Sequence, residues 1–232
     1  MTVTAPLPAE RFVDWLRTEG TRRYHATHPF HVRMHAGDLT PAELRRWVAN
    51  RYYYQTRIPV KDALILAKAE DSVFRRWWIQ RLHDHDDEDG GLALWLRMAA
   101  AVGCDVDEVA SHRTVLPGVR FACDAYVTLV RDATLVEAVA SSLTECFAPD
   151  LMAERIAAWE RHYPWIGADG LAYFRRRVPR ARRDGEEALA FVVREATTHD
   201  VQARCVAALV RKTEILWHLL DAVAAAEPKG TP

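Results

Sequence analysis

The chain has 232 residues, half of them hydrophobic and only ten of them glycine, so it can bury the core of one domain or at most two. A formal net charge of -1 provides no long-range field for nucleic acid or an anionic membrane. The first residues lack the basic start and apolar run typical of a secretion signal, no apolar run approaches the roughly 20 residues that span a bilayer, and the four cysteines are widely separated. We therefore expect a soluble, cytoplasmic protein without nucleic-acid or membrane partners.

Apolar residues recur at helical spacing along the whole chain, and no stretch shows the sustained alternation of a strand. The sequence therefore predicts an all-α fold, a single bundle-like domain over residues 1–232 with about seven to nine helices. Two capping boxes, Thr40 with Glu43 and Thr134 with Glu137, predict two of the helix starts. The predicted helices cover about 8–18, a short segment ending at 37, 40–68 with a bend at Pro59, 71 to the mid-80s, 92–102, 117–126, 134–147, a segment holding Arg155 and Trp159, 169–178, 184–196 and 199–225.

The segment QRLHDHDDEDGG, residues 80–91, carries two histidines and five acidic residues within seven positions. On a helix, His83 and His85 point about 200° apart and cannot bind one ion together. A calcium loop beginning at Asp84 is also excluded, because its sixth residue is Asp89 rather than glycine and its twelfth is Trp95 rather than glutamate. The segment is then either a solvated helix end or the site of one functional histidine.

Polar residues interrupt the apolar stripes of several predicted helices, although a charge on such a stripe is costly unless it is paired or used. Taken singly, each has a structural explanation: a long side chain can reach solvent, an arginine can form a surface ion pair, and a tyrosine can be part of the core. Their coincidence on several helices predicts a shared polar cavity. The interrupted stripes are Cys205-Leu209-Lys212-Leu216-Leu219-Val223, Leu44-Val48-Arg51-Gln55-Ile58 and Phe74-Trp78-Arg81-His85.

Further polar residues join this predicted cavity. Tyr173 and Arg177 lie four residues apart beside apolar neighbours, and Glu145 follows a face of small residues. Several inward-facing cations favour a small ligand with more than one carboxylate, since guanidinium binds carboxylate in a bidentate manner. A nucleotide is not favoured, because the sequence has no glycine-rich phosphate-binding motif.

The strings RYHATHPFH, WVANRYYYQTRIPVKDA, QRLHDHD, LPGVRFACDAY, SSLTECFAP, HYPWI and LAYFRRR resemble, in order, the pyrroloquinoline-quinone synthase family. The resemblance covers nearly the whole chain and implies a heme-oxygenase-like or TenA-like helical fold. It implies an enzyme that closes a ring in a quinoline tricarboxylate precursor and oxidises it with O2, producing the quinone and hydrogen peroxide. It also implies that no metal or organic cofactor takes part and that the protein is a homodimer.

The resemblance assigns roles residue by residue. The positions that match the family's catalytic residues are His85, Glu145, Tyr173, Arg177 and Lys212. The positions that match its substrate-binding residues are Tyr24, His25, Arg51, Gln55, Arg81, Tyr126, Thr144 and Arg155. One position departs from the family pattern: Met152 stands where many members have a histidine.

Three alternatives stay open. A dimetal oxidase on the same fold would need carboxylates and histidines at helical spacing on facing helices. A thiaminase-like hydrolase would need an activated cysteine, for which Cys146 is the nearest candidate. A protein that binds or carries the quinone without turnover would be consistent with the change at Met152.

Overall fold

The computed structural model describes residues 5–226, and over that range the secondary structure is helical with no strand. This confirms the predicted all-α bundle. No helix among these residues is long and apolar enough to cross a membrane. The α-helices are α1 (Ala9–Arg23), α2 (Pro29–Ala36), α3 (Pro41–Lys68), α4 (Ser72–Trp78), α5 (Gln80–Asp86), α6 (Gly91–Ala101), α7 (Val106–Ala110), α8 (Pro117–Asp132), α9 (Leu135–Ser141), α10 (Ala148–His162), α11 (Gly167–Gly170), α12 (Ala172–Glu195) and α13 (His199–Ala224).

The core lies among the long helices. α3 packs on α6 and α8, α13 packs on α1, α8 and α9, and α12 packs on α10. Four tryptophans are at most 1% exposed: Trp47, Trp78, Trp95 and Trp159. The Trp47 ring is 5.6 Å from that of Trp95 and 6.0 Å from that of Trp159, so one aromatic cluster joins α3, α6 and α10.

Both predicted capping boxes are present. The Thr40 hydroxyl accepts from the Glu43 N–H, and the Glu43 carboxylate accepts from the Thr40 N–H at 2.8 Å. Thr134 and Glu137 cap α9 in the same way. α3 then runs unbroken to Lys68 with Pro59 inside it.

The expected end of α1 near residue 18 is wrong, because the helix continues through Gly20 to Arg23. Gly20 is buried, and a Cβ there would lie 2.2 Å from Cζ of Phe147. The glycine is therefore required for close packing within a helix and does not terminate one.

The two helices expected at 169–178 and 184–196 are one helix, α12, which passes through Pro179. Its buried stripe continues across the proline, from Phe174 and Arg177 to Ala181 and Asp184. A proline inside a helix costs about 3 kcal/mol, and continued burial of this stripe together with the Arg177–Asp184 ion pair outweighs that cost.

Two other expected helices are interrupted. The helix beginning near residue 71 divides at Ile79 into α4 and α5. The helix expected over 134–147 ends at Ser141, and a 3₁₀ turn follows over Ser142–Cys146. The Ser141 hydroxyl donates to the Ala138 carbonyl at 2.6 Å in the last turn of α9. These breaks and the short helices α7 and α11 make the helical segments more numerous than the seven to nine expected.

Candidate active site

A polar cavity of about 50 Å³ lies between α3, α5, α10, α12, α13 and the 3₁₀ turn Ser142–Cys146. The predicted site residues in its wall are Tyr24, Arg51, Gln55, His85, Thr144, Glu145, Arg155, Tyr173 and Arg177. The other four predicted residues do not line it, and they are His25, Arg81, Tyr126 and Lys212.

One end of the cavity holds two guanidinium groups without an anionic partner. Arg51 lies over the ring of Tyr54 at 3.8 Å, and its Nη1 is buried without a hydrogen bond. Arg155 is 5% exposed, donates from Nη2 to Nε2 of His31 at 3.2 Å, and has an unpaired Nε. Burial and the nearby Arg51 lower the pKa of Arg155 to about 10, which still leaves it charged at neutral pH. This end is prepared for anionic groups of a ligand.

The opposite end holds a guanidinium that is already paired. Arg177 donates to Glu145 at 2.7 Å and to Asp184 at 2.8 Å. Burial alone would lower the pKa of Arg177, but the two carboxylates outweigh it and raise that pKa. Burial would likewise raise the pKa of Asp184, whereas Arg81 and Arg177 hold it well below its usual range. Arg177 therefore contributes a fixed positive charge with little capacity to bind a further carboxylate.

His85 is 4% exposed and hydrogen-bonded through Nδ1 to the Arg81 carbonyl at 3.1 Å. Because a carbonyl oxygen only accepts, Nδ1 carries the proton and Nε2 of the neutral ring keeps its lone pair. Burial, followed by the charge of Arg177, lowers the pKa of His85 to about 4. His83 is 57% exposed. The prediction that His85 faces inward and His83 faces solvent is confirmed.

The tyrosines of the cavity are protonated. The Tyr173 hydroxyl donates to Oε1 of Gln55 at 3.1 Å, and burial raises the pKa of its phenol. Burial and the charge of Glu145 also raise the pKa of Tyr24. The Tyr24 phenol is therefore available as a hydrogen-bond donor to a ligand, whereas the Tyr173 hydroxyl can donate to a ligand only by turning away from Gln55.

Arg81 lies behind the cavity wall. Its Nη2 donates to the Asp184 carbonyl at 2.7 Å, and its guanidinium stacks on Trp78 at 4.1 Å. Nearby, Asp84 is buried and pairs with Arg180 at 3.1 Å and Arg183 at 2.7 Å. These contacts join α5 to α12 and so position His85. The exposed acidic residues of the segment are Asp86, Asp87, Glu88 and Asp89, as expected of a solvated helix end.

Lys212 and Tyr126 are separated from the cavity by Tyr54, a residue that the sequence analysis missed. Lys212 Nζ is 2.7 Å from Tyr54 Oη, and Tyr54 lines the cavity. His25 is also set back, with its carbonyl accepting from Nδ1 of His31 at 3.0 Å. The spacing of Arg51 and Gln55 identified one stripe of α3, but Tyr54 was not distinguishable from the neighbouring Tyr52 and Tyr53 by sequence.

Two alternatives lack the groups they require. Among residues 5–226 no three histidine, cysteine, aspartate or glutamate side chains converge so that they could hold a metal ion. Cys146 is exposed at the surface, yet packing around its thiol and the adjacent Glu145 raise its pKa to about 11, which disfavours the thiolate that a hydrolase would use.

A larger groove of about 500 Å³ lies at the surface between α8 and α13, with Phe121 73% exposed. Its arginines are compensated: Arg211 pairs with Glu214 at 3.2 Å, and Arg23 pairs with Glu19 at 2.9 Å. The uncompensated cations converge in the smaller cavity, so that cavity is the stronger candidate for a polyanion site.

Comparison with known proteins places the chain in a family. The family model described as TENA/THI-4/PQQC matches residues 15–222. The chain belongs to the TENA/THI-4/PQQC family. Among its relatives, a pyrroloquinoline-quinone synthase of Pseudomonas syringae pv. tomato is 50% identical over 99% of this chain and 92% of its own length. One of Pseudomonas entomophila is 48% identical over 100% of this chain and 93% of its own length.

Several solved structures share the fold. A TenA homologue from Pseudomonas syringae pv. tomato has a TM-score of 0.80 at 15% identity, covering 97% of this chain and 99% of the other. A heme-oxygenase-like domain from Shewanella denitrificans has a TM-score of 0.77 at 15% identity, covering 94% and 92%. At such low identity these likenesses show the TenA-like fold alone, as expected from the sequence.

Proposed function

We propose that this protein catalyses the final step of pyrroloquinoline quinone biosynthesis. The reaction is ring closure and oxidation of a quinoline tricarboxylate precursor by O2, with hydrogen peroxide as a product and without a metal or organic cofactor. Relatives that are about half identical over almost the whole chain carry the name of this synthase. The observation that carries the proposal for this chain is the pair of uncompensated guanidiniums, Arg51 and Arg155, in a cavity that also holds a neutral histidine.

The charges define an orientation for the substrate. Carboxylates of the precursor bind at the Arg51 and Arg155 end, where a buried cation gains a partner. The reacting part of the molecule then lies toward His85, Glu145 and Arg177. A cavity of about 50 Å³ is smaller than the ~300 Å³ and more that enclose typical ligands, so binding requires its walls to move apart.

His85 is the general base of the proposed reaction. Its neutral imidazole offers an Nε2 lone pair at neutral pH, so it can take a proton from the substrate as the ring closes or is oxidised. The fixed charge of Arg177 and the hydroxyl of Tyr173 stabilise negative charge as O2 is reduced toward peroxide. Glu145 holds Arg177 in place through their 2.7 Å ion pair.

A second candidate function is binding or carriage of the quinone without turnover. It is favoured by Met152, which lines the cavity where many family members have a histidine. A thioether cannot donate or accept a proton as imidazole does. The proposed synthase therefore relies on His85 and the tyrosines for proton transfer in place of that histidine.

The deciding experiment mixes metal-stripped protein with the precursor in air and follows oxygen uptake and the absorbance of the quinone. Oxygen uptake with formation of the quinone is the expected result. Tight binding without oxygen uptake would refute the synthase and leave the carrier. Activity that returned only after addition of iron or manganese would instead support a dimetal oxidase.

A matched pair of variants tests the role of His85. His85→Ala is expected to lower turnover by about 10²-fold or more while precursor binding changes little, because a general base typically contributes that much. His83→Ala, on the same helix and exposed to solvent, serves as the control. Equal loss of turnover in both variants would contradict the assignment.

We also propose that the protein acts in the cytoplasm as a homodimer, as the family resemblance implies. Light scattering of the purified protein measures the assembly directly and should give about twice the 26.4 kDa of one chain. A mass of one chain at micromolar concentration would contradict the dimer.

A further inference from the structure

Lys212 is separated from the cavity whose chemistry it was expected to serve. It is 0% exposed on α13, and the cavity wall does not include it. Tyr54 of α3 stands between the two and contributes to that wall. The hydrogen-bonded path from the Lys212 amine to the cavity therefore runs through Tyr54.

The contacts around Lys212 are specific. Its Nζ is 2.7 Å from Tyr54 Oη, 4.3 Å from the centre of the Tyr54 ring and 3.2 Å from the centre of the Tyr126 ring. The two rings are nearly parallel, with centroids 6.2 Å apart. The amine is thus fixed near two aromatic rings, with one hydroxyl within hydrogen-bonding distance.

The surroundings favour the neutral form of both groups. Burial and the nearby cations Arg51 and Lys61 lower the pKa of Lys212 well below its usual value, against smaller opposing effects from Cys123 and Glu145. Burial raises the pKa of Tyr54 well above its usual value, with Arg51 opposing it. An uncharged amine beside a protonated phenol can accept the phenolic proton through its lone pair.

The geometry points to Tyr54 as a catalytic residue that takes a proton from the bound substrate while passing its own proton to Lys212. This inference rests on the proposed synthase function. In the step, a substrate X–H bond breaks and its electron pair stays on the substrate. A new O–H bond forms at Tyr54, its original O–H bond breaks, and an N–H bond forms at Lys212.

The site can accommodate the product of this transfer. The ammonium formed at Lys212 lies within 3.2 Å of the Tyr126 ring centre and 4.3 Å of the Tyr54 ring centre, and both rings attract a cation. Tyr54 returns to its starting protonation state, so Lys212 is the net acceptor and no other reactant is needed. The site then has a second base in addition to His85, on a different helix.

The test is a double-mutant cycle with Tyr54→Phe and Lys212→Met in metal-free turnover assays. Tyr54→Phe removes the hydroxyl and keeps the ring. Each single variant should lower kcat by about 10²-fold while precursor affinity, measured without oxygen, stays within about threefold. The double variant should be no slower than the slower single variant, because both substitutions interrupt one path. Multiplied losses, or wild-type turnover in Tyr54→Phe, would overturn the inference.

Two measurements complete the test. Tyr53→Phe removes the neighbouring hydroxyl, which faces Asp124 at 3.4 Å outside the cavity wall, and it should keep wild-type kcat. A comparable kcat loss in Tyr53→Phe would overturn the specific role of Tyr54. Nitrogen NMR of the lysine side chains at pH 7 reads the charge of Lys212 without turnover. A neutral amine supports the inference, and an ammonium refutes it even if the wild-type protein proves inactive and the synthase function itself fails.

Discussion

The buried, neutral state of His85 should make the protein less stable in mild acid. The pKa of this imidazole is about 4 in the folded protein and 6.5 as its ordinary value. Between these values the unfolded chain binds a proton that the folded protein does not, so the free energy of unfolding falls as pH decreases from 6.5 toward 4. Above pH 6.5 the imidazole is neutral in both states, so His85 then costs the folded protein nothing.

The magnitude follows from the two pKa values. Each unit of difference corresponds to about 1.4 kcal/mol, so His85 costs the folded state about 2 kcal/mol at pH 5 and about 3 kcal/mol at pH 4. The other buried histidines with lowered pKa values, His25 and His31, add to the same trend. The contribution of His85 must therefore be isolated by comparing variants.

Urea unfolding of the wild type and His85→Gln at several pH values between 7.5 and 5 provides that comparison. We expect the variant to lose about 2 kcal/mol less than the wild type over this interval. His83→Gln, an exposed substitution on the same helix, should follow the wild-type pH dependence. Parallel pH dependence in the wild type and His85→Gln would refute the conclusion that the buried ring is neutral.

Three further variants test packing, the ion network and binding. Gly20→Ala would place a Cβ 2.2 Å from Phe147 Cζ and should lower the free energy of unfolding in urea by about 1–3 kcal/mol. An unchanged urea midpoint of unfolding would mean that the Phe147 ring moves aside at no cost. Asp184→Asn removes a buried charge paired with Arg177 and should lower the free energy of unfolding by about 3–5 kcal/mol in the same assay at pH 7. A decrease of less than about 1 kcal/mol would contradict this expectation. Arg51→Ala should weaken oxygen-free precursor binding by about tenfold or more in calorimetry, and unchanged affinity would exclude it as an anchor.

The sequence predicted those features that depend on periodicity within one helix. The stripe containing Arg81 and His85 separated the buried histidine from His83, and the stripe of α13 correctly placed Lys212 in the interior. Fixed spacing along a helix determines which face each residue occupies, so no knowledge of the partner helix was needed.

Features that depend on contacts between distant segments were not predictable in the same way. By local rules Gly20 predicts the end of a helix. Only its contact with the Phe147 ring, 127 positions later in the chain, explains why it lies within α1. The helices expected over 169–178 and 184–196 form one helix through Pro179, because the buried stripe of α12 continues across that residue. Asp184 was missed because its importance comes from Arg81 on another helix as well as from Arg177.

The guanidiniums of Arg51 and Arg155, which have no anionic partner, make the ligand-free protein less stable than the same fold with these charges paired. Arg155 is buried and Arg51 is partly buried, and cations in such positions without anions oppose folding. Carboxylates of the proposed substrate would relieve this local instability on binding. The occupied protein should resist heat and proteolysis better than the empty one, so precursor supply would help to set how much enzyme persists in the cell.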